Sequence, residues 1–134
     1  MSTSSQKGKA MKTKEAVALF DEMYSHRTLR DSYAFTLSFD EMHDHRLSEE
    51  AKIAFTRREF EENAASNRAY MALVRAGYVA CRDWRNHDMP TLRYEGQVIA
   101  LWHGFGEVQV FASACSRIDA GEEATMRRWE EAHC

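Results

Sequence analysis

The stretch LRYEGQVIALWHGFGEVQVFASA, running from Leu92 to Ala114, decides the fold class of this chain. Leu92, Tyr94, Val98, Ala100 and Trp102 fall at even spacing, and Val108, Val110 and Ala112 repeat the pattern further on. A two-residue period with strand-forming side chains is the mark of a half-buried strand. Between the two runs stands His103-Gly104-Phe105-Gly106, a short segment whose glycines suit a reversal. The spacing therefore predicts two adjacent antiparallel strands, Leu92–Trp102 and Glu107–Ala114, joined as a hairpin.

Working outward, Pro90 breaks the chain before the hairpin, and Tyr78 to Cys81 is a short apolar run that fits a strand or a last helical turn. Upstream of it, Ser48-Glu49-Glu50 reads as a helix start: a hydroxyl to cap, then two carboxylates facing the positive end of the dipole. That helix is predicted from Glu49 to about Ala76, with Gly77 as its stop. Ile53, Phe60, Ala64, Met71 and Val74 recur at helical spacing and are expected to form its buried side. A second amphipathic helix is expected from Thr13 to about Ser25, on the stripe Ala16, Leu19, Phe20, Met23 and Tyr24. Tyr33, Phe35, Leu37 and Phe39 alternate with small polar residues, so a strand is predicted there. The four-residue spacing of Leu29, Tyr33 and Leu37 leaves a helix open as the alternative. After the hairpin, Ser116 or Asp119 opens a final helix to about Ala132, with Asp119 and Glu122 spaced as a capping box and Trp129 as its bulky anchor. The expected architecture is α+β: one small domain over residues 12–134, with helices packed on a short antiparallel sheet that includes the C-terminal hairpin. Residues 1–11 read as a disordered polar tail.

Composition narrows the function classes. A chain of 134 residues with 44% hydrophobic side chains can bury one continuous core, which argues against disorder of the whole. A formal net charge of −3 supplies no global pull toward nucleic acid or anionic lipid. No apolar run reaches membrane-spanning length, and the lysines at 7, 9 and 12 are not followed by the apolar segment of an export signal. Cys81, Cys115 and Cys134 are odd in number and form no Cys-x-x-Cys pair, which fits reduced thiols and a cytoplasmic setting. Oligomeric state is left open.

Tyr94-Glu95-Gly96-Gln97-Val98-Ile99-Ala100, a glycine-containing turn, a second strand and Ser116 ahead of a terminal helix follow one another in the last part of the chain. In this order they resemble the C-terminal module of small uncharacterised proteins of tailed phages, over Leu92 to the end. The resemblance implies a phage-like origin. It implies no activity and no site residues.

Two small clusters invite chemical readings. His43 and His45 lie two apart, with Glu41 on the same parity, a spacing that zinc and iron sites use. Two neighbouring histidines rarely close a site, so no metal and no cofactor is expected. Cys115-Ser116 near a helix start would favour a thiolate, but such a nucleophile needs a base, for which His103 and His133 are the candidates. A small buried residue at a strand end is the plainer reading.

The charge map says more. Residues 40–62 hold eight acidic and four basic side chains, whereas 68–93 hold five arginines and two aspartates. Arg68 and Arg75 lie one heptad apart on the long helix, and Arg82, Trp84 and Arg85 interleave guanidinium with an aromatic ring. Arginine and tryptophan together are enriched at binding hot spots. These five residues are the expected partner-binding set of a non-enzymatic interaction protein that modulates or inhibits a host macromolecule, with another protein as the expected partner. The competing readings are a metal-dependent hydrolase using His43 and His45, and a nucleic-acid binder using the arginines, which the net charge disfavours.

Overall fold

The computed structural model describes residues 11–42, 47–83 and 88–133, and three helices and four strands lie within them. Helix α1 is Thr13–Met42, α2 is Glu49–Arg75 and α3 is Ala112–His133. The strands are β1 (Tyr78–Asp83), β2 (Met89–Tyr94), β3 (Gln97–Gly104) and β4 (Glu107–Val110). They form one antiparallel sheet in the order β1-β2-β3-β4, so each strand pairs with its neighbour in sequence. This is the predicted α+β class, with helices against a short antiparallel sheet that ends in a hairpin.

Helix α1 overturns the strand predicted at 33–39. From His26 to Ser32 the sequence contains neither glycine nor proline, so nothing ends the helix begun at Thr13. The side chains of Thr28 and Thr36 return hydrogen bonds to the carbonyls of Tyr24 and Ser32, four residues back. Leu29, Tyr33 and Leu37 keep to one side, while Phe35, which a strand reading would pair with them, is 73% exposed.

The predicted strand Leu92–Trp102 is in fact two strands. Glu95 and Gly96, at φ 50° and 80°, make a two-residue reversal between β2 and β3, the conformation that Gly readily supplies in tight hairpins. A turn of two residues is easily overlooked because the alternation runs through it. Tyr94 pairs with Gln97, and an irregularity beyond Arg93–Val98 then brings Leu92 opposite Ala100. The extra residue, Ile99, is fully buried beside Ala100, so the bulge restores the even phase at Ala100 and Trp102. Trp102 then pairs with Val108, and Ala100 with Val110.

Strand β4 stops at Val110, short of the predicted Ala114, and α3 begins at Ala112, a turn or more before the predicted start. The Phe111 N–H donates to the Ile99 carbonyl at 2.9 Å, and the Phe111 carbonyl accepts from Cys115 N–H at 3.1 Å, so one residue closes the strand and opens the helix. The predicted capping box is also corrected. Asp119 caps α1 instead, accepting the Thr13 N–H at 2.9 Å and the Thr13 hydroxyl at 2.8 Å. Glu122 accepts the Tyr94 hydroxyl. Trp129 is 44% exposed, and α3 is held by buried Ala114 and Cys115.

The core lies where α1 and α3 cover one face of the sheet. Ala16, Phe20, Met23 and Tyr24 of α1 meet Leu92, Ile99 and Ala100, with Leu73 arriving from the end of α2. Asp21 ties α1 to the last hairpin, accepting the Trp102 indole N–H at 2.8 Å and the Gly106 N–H at 3.1 Å. The Tyr78 hydroxyl donates to the Met11 carbonyl at 2.8 Å.

Burial, then the nearby Asp119 carboxylate, raises the Tyr78 hydroxyl well above the ordinary tyrosine pKa. Burial, then the hydrogen bond to Glu122, does the same for Tyr94. The folded state thus holds these groups neutral where the unfolded chain would ionise. Their contribution is complete below a pH of about 10, the unperturbed tyrosine pKa, and is lost as pH rises further. Urea midpoints should therefore fall steeply above that point, and less steeply in Tyr94→Phe. A wild-type midpoint that stays level through the alkaline range would contradict this.

Candidate functional site

Helix α2 forms where the sequence places it. The Ser48 hydroxyl accepts the Ala51 N–H at 3.2 Å, and Gly77, at φ 88°, follows the last turn. Its orientation is the reverse of the one predicted. The expected buried side is the exposed one: Ile53 is 56% exposed, Phe60 68%, Met71 42% and Val74 43%, and Ala64 is exposed with them. The buried residues of α2 are Ser66, Ala69 and Leu73, roughly 150° away around the helix.

The residues of α1 explain the inversion. Opposite α2, that helix offers His26, Arg27 and Arg30, polar groups that would be costly to leave unpartnered against an apolar surface. His26 Nδ1 lies 2.6 Å from Glu62 Oε1, Arg27 Nε donates to Ser66 Oγ at 3.1 Å, and Arg30 donates to Asn63 Oδ1 at 2.8 Å. Arg27 also stacks over the rings of Tyr24 and Tyr70. Further out, the rings of Tyr33 and Phe55 meet at 6.0 Å. Satisfying these pairs turns the polar side of α2 inward and its apolar stripe outward.

The outward stripe runs Ile53, Arg57, Phe60, Ala64, Asn67, Met71 and Val74, in alternating steps of four and three. It is about 32 Å long at 1.5 Å per residue. Near its N-terminal end Leu37 of α1 joins Ile53 and Phe60 in lining an open groove of about 720 Å³, together with Lys52, Arg57 and Glu61. Comparison with protein-family models, curated proteins and solved structures returns no match. The site must be read from its own chemistry.

Of the residues expected to bind a partner, Arg68 and Arg75 are exposed and flank this stripe together on α2. Arg82 lies on β1, exposed, with its guanidinium donating to the Asp88 carbonyl at 3.2 Å. Trp84 and Arg85 lie outside the described residues, as do His43 and His45. Glu41 falls in the last turn of α1. Among the described residues, no three His, Cys, Asp or Glu side chains gather as metal ligands do. Cys115 is buried in the first turn of α3, its thiol 3.9 Å from the Ile99 carbonyl, while His103 pairs with Gln109 at 3.0 Å.

The stripe was visible in the sequence, but as core. The signal that separates the two readings is a second set on α2, Phe55, Glu59, Glu62, Ser66, Ala69 and Leu73, which repeats the same four-three steps. Its polar members match the polar side of α1.

Proposed function

We propose that this protein works by binding another protein chain on the outer face of α2. The observation that carries this reading is the exposure of Ile53, Phe60, Met71 and Val74 along one continuous helical stripe. Scattered exposed apolar residues are ordinary, but several large ones gathered along one helix face among polar and charged neighbours are a feature of interaction sites. Arg68 and Arg75 supply that rim on one side, and a planar guanidinium beside apolar anchors suits a protein interface. No helix among the described residues is long and apolar enough to cross a membrane.

A photo-crosslinking residue in place of Phe60 should give protein adducts in cells, whereas one in place of Arg128, exposed on α3, should not. Equal yields at the two positions would overturn the reading. Nucleic-acid adducts with a steep salt dependence would overturn it in favour of the arginines acting on phosphate.

A further inference from the structure

We infer that the chain seated on this face is a second copy of the same protein, with the two α2 helices packed antiparallel about a twofold axis near Ala64 and Asn67. The inference rests on the reading of α2 as a docking face and adds the identity of the occupant. Alternating steps of four and three sustained over three heptads give a period of 3.5 residues, the spacing that keeps one helix in register with another along its length. A seam of this kind matches a second helix better than an extended segment, whose side chains alternate every two residues.

The charges flanking the centre of α2, Glu61 and Arg68, are self-complementary and fix the direction of a second copy. Glu61 and Arg68 lie on the same flank, seven residues apart and spaced about equally to either side of Ala64 and Ala65. A twofold axis there sets Glu61 of each chain against Arg68 of the other, so the opposite-charge pair forms twice from one surface, as an isologous interface requires. A parallel pairing would bring Glu61 against Thr56 and Asn63 of the opposite flank and would make neither ion pair. In the antiparallel arrangement Phe60 packs on Met71 of the second copy, and small Ala64 faces Asn67 at the centre. Arg57 of each chain comes near Arg75 of the other at the two ends, where water still reaches the guanidinium groups and screens their like charge.

Sedimentation velocity of the full chain over a concentration series tests this. The wild type should move from monomer to dimer, and Phe60→Gln should weaken the dimer by roughly 30-fold or more, the loss expected of a hot spot. Glu61→Arg and Arg68→Glu should each weaken it, and the double exchange should restore it while circular dichroism stays helical throughout. A wild type that remains monomeric, or a dimer indifferent to Phe60→Gln and to both charge reversals, would overturn the inference. If the chain is monomeric but a crosslinker at position 60 captures a different protein, only the self-pairing fails. If it is monomeric and captures nothing, the docking reading fails with it.

Discussion

Replacing Phe20 by Ala should lower the unfolding free energy by about 3–5 kcal/mol. Phe20 is fully buried at the point where α1 crosses the sheet. Its ring meets Tyr24 edge-on at 5.5 Å, and Tyr24 in turn lies 5.9 Å from Trp102, whose indole is anchored to Asp21 one turn of helix away. Truncation removes the ring's transfer free energy and leaves a cavity among residues already held by hydrogen bonds, which limits collapse. Small domains have about 5–15 kcal/mol in total, so the variant should be partly unfolded or close to it. Chemical denaturation provides the measurement. A change below about 1 kcal/mol, the range of an ordinary substitution, would mean that α1 does not close the core.

The second large effect concerns the two sides of α2. Leu73→Ala should cost about 2–5 kcal/mol, because Leu73 is fully buried with Leu92 and Ala80 in the same core cluster. Met71, only two residues earlier, is 42% exposed. Met71→Ala in the monomer should therefore cost well under half as much, about 1 kcal/mol or less, since much of its side chain is already in water. Denaturation of the two variants side by side measures the difference directly. Equal losses would place both residues in one core and remove the basis for an outward stripe.

Much of the architecture was legible because its signals are local. Ser48 and Gly77 mark the ends of α2 by hydroxyl capping and by a positive φ, and neither depends on what packs nearby. What was misread depends on partners distant in sequence. Periodicity in α2 reveals that one side is apolar, but which side is covered depends on His26, Arg27 and Arg30, more than thirty residues away. Asp119 and Glu122 have the spacing of a self-cap, yet Thr13 and Tyr94 compete for them across the fold and win. The reversal at Glu95-Gly96 was hidden because the Ile99 bulge restores the phase that the turn disturbs. At the candidate site, charge alone draws attention to Arg68 and Arg75, while the stripe beside them reads as interior, since exposed and buried apolar faces carry the same pattern.

The central claim is that the apolar stripe of α2 is surface, free to receive another chain. Its most direct test is the unfolding free energy of Phe60→Gln, measured at high dilution so that no second chain is bound. Phe60 is 68% exposed, and glutamine is the better helix former, so the variant should match the wild type to within about 0.5 kcal/mol. A loss of about 3 kcal/mol or more, the cost of removing a core phenylalanine, would show that Phe60 points inward and would contradict the account.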